Sequence, residues 1–168
     1  FEAETIVSDF GFKSLGSQKS HQSSWKKSVF DVYKDASLPF HWTQELKKAA
    51  DDAGIDFFTS PYSFELVDKV DPYVCAFKIG SGDLTWHDII AYIAKKNKPY
   101  ILASGASSLA EVQQAVQIGL AHNQEFCLMQ CNTNYTASED NFNYINLNVL
   151  QAFKKEFQIG RASCRERV

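Results

Sequence analysis

From Phe40 onward the chain alternates helical and strand signals, with strands starting near Ile55, Tyr73, Tyr100 and Phe126. The starts are about 18 to 27 residues apart, which leaves room for one helix between consecutive strands. Such spacing requires parallel strands joined by right-handed crossovers. "TQELKKAADDAG" predicts a helix with Thr43 as N-cap and Gly54 past its C-terminus. "IDFFTSP" predicts a strand stopped by Pro61, "SFELVDKV" a short helix and "YVCAFKIGSG" the next strand. "TWHDIIAYIAKK" places Ile89, Ile90, Ile93 and Ala94 on a helical stripe, and "YILASG" is again a strand. "SLAEVQQAVQIGLAHN" opens on a capping box, Ser108 and Glu111. "FCLMQCNTNY" is the fourth strand, and Leu147–Phe157 the final helix. The segment before Phe40 reads as polar loop, with "SVFDVYKDA" as a helical turn.

The expected class is therefore α/β. Four strand–helix units suit a doubly wound sheet or half of a (β/α)8 barrel. No Gly-x-Gly-x-x-Gly follows any strand, which counts against a dinucleotide-binding fold.

Composition removes other classes. The 168 residues, 45% hydrophobic and 22% charged, are those of a soluble globular domain. No apolar run approaches the ~20 residues of a membrane span, and "FEAETIVSD" lacks the form of a signal peptide. A net charge of −3 offers no basic face to nucleic acid. Cys75, Cys127, Cys131 and Cys164 include no Cys-x-x-Cys pair. Cys127 and Cys131 stand too far apart along one strand for a disulfide. Buried free thiols in a reducing cytoplasm are expected. The four histidines show no zinc-type spacing, so each is expected to be a surface or packing residue.

The last ten residues, "IGRASCRERV", hold Arg161, Arg165 and Arg167, and every other basic residue of that pair of types is lysine. The stretch reads as the translation of a sequencing-library adapter. Residues 159–168 are expected to be an artefact outside the fold, and residues 1–158 a gene fragment cut at both ends.

The chemistry collects where strands end. Those positions carry Thr59, Ser60 and Tyr62, then Lys78, Ser81 and Asp83, then Ser104 and Gly105, then Gln130 and Asn132 to Tyr135. Parallel α/β folds bind ligands at the carboxyl ends of their strands. Lys78 sits within the apolar run "CAFKI", and a buried ammonium is costly unless something anionic meets it. One cation among hydroxyls, amides and glycines suits a small anion carrying a carboxylate or phosphate. The plainer alternative is that Lys78 snorkels to the strand end and pairs with Asp83. Ser81 and Ser104 would then cap turns, the Asn132–Asn134 stretch would be plain loop, and Tyr135 would simply pack.

At these residues the chain closely resembles the sialic acid synthase (N-acetylneuraminate synthase) family. "FFTSPYSFELVD", "FKIGSGDLT", "NKPYILASGASSLAEV" and "LMQCNTNYTASEDNF" carry the resemblance, which covers essentially residues 1–158. The family implies a TIM barrel, of which this chain would hold about strands three to six. It also implies condensation of phosphoenolpyruvate with an N-acetylated hexose, such as N-acetylmannosamine, to a nine-carbon 2-keto acid. A divalent metal, manganese or magnesium, would activate the aldehyde oxygen as a Lewis acid.

By motif, the resemblance implies that Lys78 holds phosphoenolpyruvate with Ser81 beside it. Asp83 matches an acidic position, often Glu, that handles protons or orients the phosphate. Tyr62 lines the substrate side, and Tyr135 closes the loop after the sixth barrel strand. Three positions depart from the family. Ala103 replaces a serine, leaving Ser104 and backbone amides as substitutes. Thr133 replaces an Asn or Ser, and Thr136 a proline. The metal ligands, a second lysine and a C-terminal domain that completes a homodimer partner's site would lie outside this chain. Two alternatives stand beside this reading. One is an aldolase in which Lys78 forms a Schiff base with pyruvate, and the other an inert half-barrel.

Overall fold

The computed structural model describes residues 25–133 and 139–157. The chain divides into two compact units, residues 1–46 and 47–168. In the first, helix α1 (Val29–Ala36) opens on Ser28, whose Oγ accepts from the Asp31 N–H at 3.0 Å. The segment read as a helical turn is thus an eight-residue helix with its own cap.

Helix α2 (Trp42–Asp52) crosses the boundary between the units. Thr43 is not its N-cap. The Trp42 and Thr43 amides already donate to Pro39 O and Phe40 O, each at 2.9 Å. The chain is therefore turning before Thr43, which lies buried in the first turn. Gly54 follows α2 at φ 68°, a conformation that costs glycine nothing.

The second unit continues with β1 (Phe58–Thr59), α3 (Phe64–Val70), β2 (Ala76–Ile79) and α4 (His87–Ala94). Then come β3 (Tyr100–Ala103), α5 (Leu109–Leu120), β4 (Phe126–Met129) and α6 (Val149–Phe157). All neighbouring strands pair in parallel, in the order β1-β2-β3-β4. A doubly wound sheet reverses its strand order at a switch point, whereas a barrel adds each strand beside the last. The protein is α/β, and its sheet is part of a (β/α)8 barrel.

The strands are shorter than their sequence signals. β1 keeps two residues, because Pro61 has no N–H to extend the ladder. Pairing still reaches back one position, where the Cys75 amide donates to Phe57 O at 3.1 Å. Tyr73 lies in a 3-10 turn, Asp71–Tyr73, begun by Pro72, rather than in β2.

Register divides the sheet into two faces. Phe77 pairs with Tyr100 and Tyr100 with Phe126; Ile79 pairs with Leu102 and Leu102 with Leu128. These six side chains are buried and pack with Ile89, Ile90 and Ile93 of α4 and Val112 and Val116 of α5. On the other face Lys78 pairs with Ile101, and Ile101 with Cys127. Ala76 shares that face with Phe58 beside it. Phe58 is 44% exposed, and Lys78, Ile101 and Cys127 are only partly covered. The β2 sequence alternates because its two faces do: Phe77 and Ile79 inward to the helices, Lys78 away from them.

Lys78 is therefore not a buried ammonium, and the cost anticipated for one does not arise. Cys75 is likewise exposed rather than buried, its thiol donating to Phe57 O at 3.4 Å. Cys127 and Cys131 are partly covered, and neither forms a disulfide among the described residues. The capping box at α5 forms as the sequence predicts. Ser108 Oγ accepts from the Glu111 N–H, and Glu111 Oε2 accepts from the Ser108 N–H at 2.7 Å. Among the described residues, no helix is long and apolar enough to cross a membrane.

Candidate functional site

The strand ends of β2, β3 and β4 supply the polar groups. After Ile79, Gly80 leads into a 3-10 turn, Ser81–Asp83, whose Asp83 amide donates to Gly80 O at 3.0 Å. The turn lifts Ser81 and Asp83 above the sheet at the end of the strand that carries Lys78.

Asp83 is partly buried, and burial pushes its carboxyl above the ordinary 3.8 while the positive charge of Lys78 pulls it back. The two groups interact through space. Among the described residues Lys78 makes no ion pair, so direct pairing with Asp83 does not account for it. Tyr62 stands on the same flank: a Cβ on Gly80 would lie 3.5 Å from Asp83 Oδ2 and 3.9 Å from Tyr62 Oη. Lys78, Asp83 and Tyr62 thus gather around the exit of β2.

A second group forms around Gly105, at the exit of β3. Its amide donates to Ser81 Oγ at 3.0 Å. A Cβ there would stand 2.5 Å from Thr133 Cγ2, 2.6 Å from Cys131 O and 2.9 Å from Ser81 Oγ. No side chain fits this position, because the exits of β2 and β4 both close upon it. What approaches Gly105 is the neighbouring chain at the β2 and β4 exits.

Ser104 serves that same closure. It is buried, and its amide and hydroxyl both donate to Met129 O, at 2.9 and 3.1 Å. Its hydrogen is committed to joining β3 to β4. Tyr135 lies outside the described residues.

A cleft of about 440 Å³ opens beside this second group, lined among others by Ser81, Thr85, Gly105, Ser107, Glu111 and Thr133. Thr85 and Ser107 were not singled out from sequence, and Glu111 only as a helix cap, since each looks like ordinary turn or capping chemistry. The Glu111 carboxyl is held below its usual range by the Ser108 N–H and hydroxyl it accepts from. A second cleft, about 340 Å³, shares Gly105 and Thr133 and adds Ser104, Gln130 and Asn132 over an apolar floor that includes Val112 and Phe153. Lys78, Asp83 and Tyr62 line neither cleft.

Among the described residues no group of three or more His, Cys, Asp or Glu side chains could hold a metal ion. The described part of the chain offers no seat for the manganese or magnesium that the resemblance implies.

Comparison with known proteins gives this arrangement its context. The NeuB family model matches residues 1–161. The N,N'-diacetyllegionaminic acid synthase of Campylobacter jejuni is 33% identical over 137 residues, 79% of this chain and 40% of that protein. The human N-acetylneuraminate-9-phosphate synthase is 28% identical over 159 residues, 94% of this chain and 43% of that protein. Among solved structures, the N-acetylneuraminic acid synthetase of Leptospira borgpetersenii superposes with a TM-score of 0.71 at 24% identity. That match covers 79% of this chain and 46% of the other, and it supports the fold. The chain thus spans about two fifths of the length of the relatives it matches.

Proposed function

We propose that this chain, which belongs to the NeuB family, supplies the central strands of a sugar-acid synthase that condenses phosphoenolpyruvate with an N-acetylated amino sugar. The relatives named above are an N-acetylneuraminate-9-phosphate synthase and an N,N'-diacetyllegionaminic acid synthase, which supports the class. The observation that carries the reading is the position of Lys78. It is a cation on the face of the sheet away from α4 and α5, not neutralised by an ion pair among the described residues, at the strand exit where Ser81 and Asp83 stand.

In this reading Lys78 offsets the negative charge of phosphoenolpyruvate and stabilises charge that develops as the enol carbon attacks the sugar aldehyde. The aldehyde oxygen takes a proton, water adds to the enol-phosphate carbon, and inorganic phosphate leaves to give the 2-keto acid. Ser81 donates a hydrogen bond to the same anion. Asp83, whose carboxyl burial makes more basic, holds or passes a proton near the reacting atoms. Thr133 and Ser104 line the neighbouring cleft, and Tyr62 flanks the β2 exit. Tyr135 is proposed to close the substrate side. A divalent metal, were one bound in the full-length protein, would supply Lewis-acid polarisation of the aldehyde. The described residues of this chain would not hold it, and we propose that its ligands and a homodimer partner's contribution come from outside this chain. A cytoplasmic location fits substrates of this kind.

The test is turnover by the full-length protein with phosphoenolpyruvate and N-acetylmannosamine or a related amino sugar. Lys78→Ala should abolish product formation while the fold is kept. Unchanged turnover in that variant would overturn the assignment.

A further inference from the structure

We infer that Gly105 is a positioning residue for the anion site, acting through Ser81. The proposal rests on the reading above only in naming phosphoenolpyruvate as the anion.

A serine hydroxyl has one hydrogen to donate and two lone pairs to accept with. The Gly105 amide donates to Ser81 Oγ at 3.0 Å and so occupies one lone pair. The Ser81 hydrogen cannot point back at a donor. It is left to turn elsewhere: among the described residues it donates to no partner, and Ser81 stands in the turn that directly follows the strand of Lys78. The amide thus fixes a freely rotating hydroxyl in the state that suits an anion, as a donor.

Only glycine can do this at position 105. A methyl group would meet Thr133 Cγ2 at 2.5 Å, Cys131 O at 2.6 Å and Ser81 Oγ at 2.9 Å. Two of these contacts, Cys131 O and Ser81 Oγ, belong to different strand exits, so the chain at residue 105 would have to withdraw from one of them. Ser104 opposes that withdrawal, because its amide and hydroxyl pin the preceding residue to Met129 O. Gly105 therefore sets the distance between the β2 and β4 exits as well as the direction of the Ser81 hydrogen.

The experiment is a double-mutant cycle in the full-length protein, reading the phosphoenolpyruvate Kd for wild type, Ser81→Ala, Gly105→Ala and the double variant. Each single variant should weaken binding by about tenfold, the worth of one hydrogen bond to a charged group. The double variant should lose clearly less than the product of the two single losses, because part of the Gly105→Ala loss passes through Ser81. Losses that multiply would overturn the proposal, since a merely structural Gly105 would act whether or not Ser81 is present.

Should Gly105→Ala fail to fold, the Gly105 amide itself is read by hydrogen exchange without ligand. It should be protected in wild type and exchange at least about tenfold faster in Ser81→Ala. Equal exchange in the two proteins would overturn the proposal. A wild type that binds no phosphoenolpyruvate would sink the functional reading, whereas the exchange measurement judges the Gly105–Ser81 link by itself.

Discussion

The positive charge of Lys78 partly offsets what burial does to Asp83. Burial raises the Asp83 carboxyl above its ordinary 3.8, and Lys78 draws it down again without touching it. Because the folded value stays above the unfolded one, the unfolded chain ionises first as pH rises. The contribution of Asp83 to stability is then complete below 3.8 and is lost as pH climbs through the raised folded value. Asp83→Asn, which cannot ionise, should gain on the wild type over that window. Denaturant unfolding of the full-length pair at a series of pH values measures it. A stability gap that stays constant from acid to neutral pH would contradict the assignment.

Lys78 itself should tolerate little change. Arginine keeps the charge but spreads it over a planar fork that a site shaped for a compact ammonium does not match. Lys78→Arg should lose most of the synthase activity of the full-length protein while leaving its unfolding midpoint near that of wild type. On the proposed reading the Lys78 ammonium acts as a charge and not as a nucleophile, so borohydride treatment with pyruvate should leave no adduct on it. A trapped lysine adduct would favour the aldolase alternative.

Away from the site, Gly119 and Tyr100 define a close contact between α5 and β3. A Cβ on Gly119 would stand 2.2 Å from Tyr100 Oη and 3.2 Å from Cζ. Tyr100 is fixed there by burial and by stacking on Phe126 at 5.5 Å, and burial pushes its hydroxyl up to about 12. Gly119→Ala should therefore destabilise by about 1–3 kcal/mol, the usual cost of overpacking a core. Adding Tyr100→Phe removes the nearest clashing atom and should recover much of that loss. Thermal unfolding of the two variants decides it, and equal or additive losses would rule out the clash as the cause.

The strand–helix rhythm could be read because each element carries its own local period, and the Ser108–Glu111 box because its partners lie three residues apart. The face of Lys78 was also present in the sequence, as the alternation Phe77, Lys78, Ile79, yet the apolar run drew it as buried. Thr43 misled because Pro39 and Phe40 provide acceptors that start the turn early. Nothing local could reveal that Gly105 meets Ser81 and Thr133. Those residues lie on three separate strand exits, and only the parallel register brings them together.

The last expectation concerns the 168-residue chain on its own. Its sheet has β1 and β4 at the edges among the described residues, and unpaired strand edges invite association with another chain. The face that bears Lys78 also carries Phe58, 44% exposed, with Ile101 and Met129 only partly covered. In a closed barrel such a face packs in layers against the opposite strands. The isolated chain should therefore self-associate and should form no product from phosphoenolpyruvate and amino sugar. Phe58→Lys, which places a charge on the β1 edge, should reduce the association without restoring activity. Sedimentation of the purified chain and its variant measures the first effect, and product assays with Lys78→Ala as control measure the second. A wild-type chain that stays monomeric, or one whose turnover disappears with Lys78→Ala, would show that these four strands suffice.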